Sequence, residues 1–493
     1  MYIVSVSSPA RIFSSAPDPT TGPYEYRRGW LLSTEPQPDI VANWPSFRLG
    51  RNLHFAFHPA TRVTSYDDST THVLLVGLPV DIDSESSDAR SIARTISDHC
   101  QKKEGGIERA IRYVAYLGGR FCCIILVHST QEVICLTDCA ATVPIYWSDS
   151  TADAVAVSTH ASLCARIANT GVDEGARSLL RHAAKIGTRG TLFPPGLMTG
   201  YSGIKQVIPN HALHLSGNSS RISRYYPFED TTLETDGERS YRLFESALTA
   251  HTSLLSQMGR VGFSLTGGRD SRATLSAATK SISNDPIAWT YYNSRNPKSG
   301  HVSDLAAARD IAARAEIEFT TVDMSAPADR EFARAVTRTM GATAQMIKVP
   351  IAYNAQLPGD IIEMQSMAAE IATGFYRRRS GSPTVERLAR LYTRGQLETH
   401  PTVIREIGAF ITEAQFDEAK FGPVDYHDLF YWEHRLGRWG SRRIQEVDLA
   451  HEVVLPFNSR SVVEALLGRP IEERCKKQDL VRYVNETTPH LSW

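Results

Sequence analysis

The sequence predicts an α/β protein in two parts, residues 1–226 and 238–493. Three observations carry this. The first part is rich in short apolar or alternating runs of strand length, with two helical stretches among them, as in a layered α+β sandwich. The second alternates strand-length runs with helical spacing, as in a doubly wound parallel sheet. Between them Pro227-Phe-Glu-Asp-Thr-Thr-Leu-Glu-Thr-Asp-Gly237 is polar and carries turn residues, so it reads as a linker.

At 493 residues the chain is long enough for two or three sizeable cores. With 42% hydrophobic and 22% charged residues, the composition is that of a soluble globular protein. A formal net charge of −1 gives no global field toward nucleic acid or membrane, so neither is an expected partner. No run of about 18 apolar residues is present, and a membrane span is not expected. The start, Met-Tyr-Ile-Val-Ser-Val, lacks the basic opening of a signal peptide. Cys100, Cys122, Cys123, Cys135, Cys139, Cys164 and Cys475 form no Cys-x-x-Cys pair, and several lie in apolar runs as small hydrophobes. A reducing cytoplasm is the expected location, and no structural zinc is expected.

In chain order, Tyr2–Val6, Leu53–Phe57 and His72–Val76 read as strands, and Ser87–His99 and Gly106–Leu117 as helices. Arg120–His128 and Gln131–Asp138 form a hairpin about Ser129-Thr130, followed by a strand at Ala154–Ser158. Thr191-Leu-Phe leads to 204–215, a turn between two strands. Tyr241–Met258 has helical spacing in Leu243, Ala247, Leu254 and Leu255. Ile287–Tyr292 and Glu318–Val322 are strands of the second part, with a helix between them over Ser303–Ala315 that Ser303 would cap.

The chemistry centres on 261–278. Val261 to Leu265 read as a short buried strand, Gly267-Gly268 as a turn, and a helix starts at Asp270 or Ser271. A strand, a glycine turn and a helix N-terminus make an anion site, because unpaired N–H groups and the positive dipole end converge there. Thr266 and Ser271 add hydroxyls, and Asp270 offers a carboxylate where a phosphate-bound Mg²⁺ would sit. An ordinary αβ turn is the competing reading. Thr266-Gly-Gly-Arg-Asp-Ser271 resembles the Ser-Gly-Gly-x-Asp-Ser pyrophosphate loop of ATP pyrophosphatases, with Thr266 for the first serine. The resemblance implies that Ser264, Leu265, Thr266, Gly267, Gly268, Arg269, Asp270 and Ser271 bind ATP.

A resemblance then extends over the chain. Leu117-Gly-Gly-Arg-Phe, Asp138-Cys-Ala-Ala-Thr-Val-Pro-Ile-Tyr146 and 203–213, in that order and followed by the loop, look like class B asparagine synthetases. This implies an N-terminal-nucleophile (Ntn) hydrolase-like sandwich followed by an ATP-pyrophosphatase synthetase domain. The family's glutaminase needs Cys after the initiator Met; Tyr2 stands here and the nearest cysteine is Cys100. Gly77-Leu-Pro-Val-Asp replaces the family's Asn-Gly-Glu glutamine-binding segment. Glutamine hydrolysis is therefore not expected, and the first domain reads as a structural platform.

In the second part the resemblance puts the backbone of Trp289, Thr290 and Tyr291 along the adenine pocket, with core packing as the alternative for the aromatic rings. Ser366-Met-Ala-Ala-Glu-Ile occupies the place of the family's Ser-Gly-x-Gly-x-Asp, with Glu370 matching the acid that helps hold Mg²⁺. A capping acid is the structural alternative. Met367 stands where beta-lactam synthetases carry a catalytic tyrosine, so their ring-closing dyad is not carried over. Lys477 comes close to the family's C-terminal lysine, one residue out of register, and would neutralise charge at the reacting centre. Arg377-Arg378-Arg379 and Arg435, Arg438, Arg442 and Arg443 are basic clusters, read mostly as solvated faces, with contact to pyrophosphate or an anionic substrate as the alternative, and Asp428–Trp439 reads as an amphipathic aromatic helix.

The resulting expectation is an ATP- and Mg²⁺-dependent amide ligase. It adenylates a small-molecule or peptide carboxylate, and Asp270, Glu370 and Lys477 serve catalysis. The amine does not come from glutamine, as in lasso-peptide cyclases and beta-lactam synthetases, and natural-product biosynthesis is the analogous setting. The alternatives are a ligase using ammonia or a small amine, and an inactive nucleotide-binding protein. Oligomeric state is left open.

Overall fold

The computed structural model describes residues 10–13, 24–35, 38–149, 154–187, 193–217, 219–282, 285–295, 299–343, 345–376 and 380–493. The strand Tyr2–Val6 and the residues Tyr2, Thr191 and Arg377 to Arg379 lie outside these. Thr71–Val80 and Gly118–Val127 are ten-residue runs buried almost throughout, so both of their faces need cover. They pair antiparallel at the middle of a seven-stranded sheet. Its spatial order is Ala10–Phe13, Val63–Asp67, Thr71–Val80, Gly118–Val127, Glu132–Thr137, His211–Ser216 and Ser219–Arg224. Because side chains alternate along a strand, Val73, Leu75, Cys123 and Ile125 face one way and Leu74, Val76, Cys122 and Ile124 the other.

The first set packs with Ile92, Ile96 and Val114 of the helices Ala89–Cys100 and Gly106–Tyr116. The second meets Trp30, Leu32, Phe55 and Phe57 from a six-stranded sheet. That sheet runs Ile204–Gln206, Tyr146–Ser148, Ala156–Ser158, Trp30–Ser33, Leu53–Phe57, Ser46–Leu49. The helix Ala161–Ile167 covers part of its outer face through Ala161 and Cys164. The first half is thus layered helix, sheet, sheet, helix.

The third sheet has five parallel strands in the order Glu318–Asp323, Ile287–Tyr292, Val261–Ser264, Ile362–Met364, Glu452–Val454. The strand order reverses at Val261–Ser264, and the crevice at the C-terminal ends of strands flanking such a reversal is where ligands bind. Gly262 lets the Trp289 indole lie across its strand; a Cβ there would stand 2.5 Å from the ring. The chain is therefore mixed α/β. Among the described residues, no helix is long and apolar enough to cross a membrane.

Two expectations are corrected. The helix before Glu318 is Ser299–Arg314, so Ser303 lies a turn inside it and is not its cap. No proline stands between Ser299 and Ser303, and the helix starts earlier. The second correction concerns Arg435, Arg438 and Arg442. They are buried, Arg438 completely, within a continuous run of the helix Tyr426–Phe430, a π-helical stretch Tyr431–Gly440 and the helix Ser441–Asp448. This run is wedged against the first half and has no solvated face to offer there. Arg438 donates to the Met198 carbonyl, Trp432 Nε1 to the Cys139 carbonyl (2.7 Å), and the Gly196 N–H to His434 Nε2 (3.0 Å).

Glu433 on the π-helical stretch has no exposed surface and needs donors. Arg224 donates to both carboxylate oxygens, at 2.5 and 2.7 Å, and Asn210 Nδ2 adds a third bond at 3.0 Å. Arg460 in turn donates to Asn210 Oδ1 (2.9 Å) and lies 3.8 Å from the Tyr226 ring centroid. Replacing Arg224 with Ala leaves Glu433 buried with its main counter-charge gone. We expect a loss of about 3–5 kcal/mol in urea unfolding. A loss near zero would mean that Glu433 is not held as an ion.

Candidate active site

The strand Val261–Ser264 ends at Leu265, whose N–H donates to the Trp289 carbonyl (2.8 Å). Gly268 then caps the helix Arg269–Ala278 with φ −73° and no side-chain acceptor. Neither Gly267 nor Gly268 has a positive φ, so their need is for room. A Cβ on Gly268 would stand 3.0 Å from Thr266 Oγ1, and one on Gly267 3.2 Å from the Ala307 Cβ. The loop is held from within: Gly268 N–H donates to Thr266 Oγ1 (3.1 Å), Thr266 N–H to Ser271 Oγ (3.3 Å), and Gly267 N–H to Asp304 Oδ1 (3.2 Å). The first N–H groups of Arg269–Ala278 have no intrahelical partner, as at any helix start.

Asp270 lies in the first turn of that helix. Its Oδ2 accepts from Lys477 Nζ, while Oδ1 is buried and has no partner among the described residues. Burial pushes its pKa up, Lys477 opposes that, and the charge of Glu370, which lines the same cleft, adds to it. Glu370 sits on the 3₁₀ turn Met367–Ala372 after the strand Ile362–Met364. Its Oε2 accepts from the Tyr431 hydroxyl (2.7 Å), and no side-chain cap bond is formed at that turn.

These groups line a cleft of about 350 Å³, within the range of small-molecule sites. Of the residues expected from sequence, Ser264, Leu265, Thr266, Asp270, Ser271, Thr290, Tyr291 and Glu370 line it. Gly267, Gly268 and Arg269 are not among the residues that line it, and Gly268 and Arg269 are exposed. Lys477 reaches it through Asp270. Trp289 does not line it: the ring is fully buried, edge-on to Tyr353 (5.7 Å) and His451 (5.9 Å), as the core-packing alternative has it.

Sequence reasoning missed Asp304, Tyr353, Glu363, Gln365 and Arg443 in the wall, and Tyr431 behind Glu370. Arg443 was read within a basic cluster, mostly as a solvated face with pyrophosphate or an anionic substrate as the alternative; its Nη1 is buried and has no partner among the described residues. Glu363 is fully buried, with Oε2 bonded to His451 Nε2 (2.9 Å) and Oε1 without a partner among the described residues. Neither is marked by local spacing, since both gain their place from the packing of distant segments. No group of three or more His, Cys, Asp or Glu able to hold a metal occurs among the described residues.

No family profile matches this sequence, and no curated protein matches it. Among solved structures it is similar to one described as the "structure of the allosteric regulatory enzyme of purine biosynthesis". That likeness is 9% in identity, covers 76% of this chain and 73% of the other, and has a TM-score of 0.24, too low to support an argument.

The position of Asp270 makes a pH expectation. Its pKa is raised above the ordinary 3.8 chiefly by burial. A carboxyl whose folded pKa exceeds its unfolded one costs the native state stability as pH rises from the ordinary value through the raised one. Asp270→Asn removes that cost. In urea unfolding between pH 3.5 and 7, the stability of Asp270→Asn relative to wild type should rise with pH. A flat or falling difference would show that Lys477 outweighs burial.

Proposed function

We propose that the protein is an ATP-dependent amide ligase of the kind that class B asparagine synthetases resemble. On this reading residues 1–226 are a degenerate Ntn-like domain and 238–493 an ATP-binding synthetase domain. The observation that carries it is placement. Thr266-Gly-Gly-Arg-Asp-Ser271 joins the strand where the parallel order reverses to a helix N-terminus, and it opens on a cleft with Asp270 and Glu370. In the proposed reaction an oxygen of the substrate carboxylate forms a bond to the α-phosphorus of ATP as the bond to the β-phosphate oxygen breaks. An amine then bonds to the acyl carbon, AMP leaves, and the amine loses a proton.

The residues present fit Mg²⁺. Asp270 Oδ1 is a buried oxygen without a partner among the described residues, and Glu370 is near enough to raise the Asp270 pKa. Mg²⁺ takes one or two carboxylates and completes its shell with phosphate oxygens and water, so two suffice. When bound it would offset phosphate charge. The chain's own groups do the rest. Lys477 holds Asp270 Oδ2, Tyr431 holds Glu370, and the amides that open Arg269–Ala278 favour an anion. Arg443 is the one basic side chain in the described lining, and in this reading its Nη1, which has no partner among the described residues, donates to a carboxylate or phosphate oxygen.

Two measurements test this. Wild type should bind ATP in calorimetry only with Mg²⁺ present, and Asp270→Asn should slow ATP–pyrophosphate exchange, driven by a pool of candidate carboxylates, by about 10²-fold or more. Asn keeps the size, so the variant should melt near wild type. Exchange at the wild-type rate would remove Asp270 from the metal, and absence of ATP binding by wild type would overturn the reading. Glutamine should not serve as donor, so glutamate release with glutamine and ATP should stay at the level of a boiled control.

A further inference from the structure

A second cavity lies at the junction of the six-stranded sheet, the strand Thr71–Val80 and the helix Ser441–Asp448. It is lined by four arginines, Arg27, Arg28, Arg62 and Arg120, but only two carboxylates, Asp448 and Glu452. Both carboxylates are already engaged. Arg120 donates from two nitrogens to Asp448, and Arg62 Nε and Nη2 donate to Glu452 at 2.9 Å. Among the described residues, Arg27 and Arg28 have main-chain acceptors at the end of the helix and no carboxylate acceptor. Arg27 Nη1 donates to the Leu449 and Ala450 carbonyls (3.1 and 3.0 Å), and Arg28 Nη1 to the Asp448 carbonyl. A helix C-terminus carries about half a negative charge, which does not balance two guanidiniums.

A buried imidazole faces the same space. His160 is 3% exposed and is kept neutral by burial, which pushes its pKa down to about 3. Thr159 Oγ1 accepts from the Trp30 main-chain N–H (3.2 Å) and is hydrogen-bonded to His160 Nδ1 (3.0 Å). In the tautomer whose Nδ1 accepts from that hydroxyl, Nε2 carries the proton, and Nε2 has no partner among the described residues. Helix capping accounts for one nitrogen each of Arg27 and Arg28. It does not account for a buried imidazole nitrogen without a partner among the described residues, in the wall of a cavity with two cations in excess. The Arg27 pKa falls to about 10, first through burial and next through Arg28, and the nearby carboxylates Asp448 and Glu452 offset this only in part.

We propose that this cavity binds a small oxyanion, a carboxylate or inorganic phosphate, held by Arg28, Arg27 and His160. Size sets the class: the space is about 40 Å³, room for a small anion and not for a nucleotide, where a single water needs roughly 10–15 Å³. The bound anion neutralises the excess charge against the end of Ser441–Asp448 and so tightens the contact between the first two sheets and the parallel sheet. This inference does not rest on the ligase reading.

The test is calorimetric titration and thermal melting of the full chain with sodium acetate, sodium malonate and sodium phosphate, each against sodium chloride at equal ionic strength. At least one oxyanion should bind saturably and raise the melting temperature. Acetate or malonate alone would identify a carboxylate site, and phosphate alone a phosphate site. Arg28→Met and His160→Phe should each weaken that binding at least 10-fold. Arg482→Met, which breaks an exposed pair with Glu238, should leave it unchanged. If Arg28→Met does not fold, Arg27→Lys and His160→Gln take its place. No binding beyond chloride in wild type overturns the proposal. So does a variant that melts lower yet binds as before, because the arginines are then clamps only.

Discussion

Glu433 has no contact with water, and its ionised carboxylate is tolerable only because Arg224 forks it and Asn210 adds a donor. Arg224 belongs to the edge strand of the seven-stranded sheet, and Glu433 to the π-helical stretch of the second half. The pair thus fixes how that stretch lies against the first half. Two positions earlier Tyr431 donates to Glu370, and further along Trp439 and Arg443 form part of the cleft wall. Single π turns inside helices are frequent at functional sites, and here the wide turn carries inward groups on both sides of the wedge. The cleft is therefore set by a surface far from the strand that names it.

Within the cleft, the loop 266–271 already has hydrogen-bond partners for its first amides. Thr266, Ser271 and Asp304 already occupy the Gly267, Gly268 and Thr266 amides. That leaves the following amides, at the helix start, as the free donors. Asp270 is then held in an uneven balance, with one oxygen on Lys477 and the other buried and bare. A cation beside Oδ1 would oppose the rise in pKa that burial causes.

Much of this was legible locally. Leu53–Phe57 and Ile287–Tyr292 are strands at the limits their apolar runs suggest, and the glycine loop does join a strand to a helix. The buried arginines were not legible, because a run such as Arg435 to Arg443 has the composition of a surface. Only the neighbouring carbonyls of Met198 and its surroundings, far along the chain, make it an interior. Tyr431 and Glu370 are 61 positions apart, and His451 and Glu363 are 88. No local period marks such pairs. Trp289 shows the converse: an aromatic residue at the right place for a ligand wall is turned inward because Gly262 on the next strand makes room for it.

The two cavities share one piece of chain. Helix Ser441–Asp448 starts beside the cleft, where Arg443 lines it, and ends at the second cavity, where Asp448 meets Arg120 and Arg28. Three residues later His451 bonds Glu363, back in the cleft wall, and Glu452 opens the strand that pairs with Ile362–Met364. Packed helices resist bending and move as units. A change in charge at Asp448 therefore acts on a rod whose other end carries Arg443, and on a short turn that carries the partner of Glu363. Contiguity of this kind is a route and not a measure of coupling. Its physical content is that one helix contributes to both walls, Arg443 to the cleft and Gln445 and Asp448 to the second cavity.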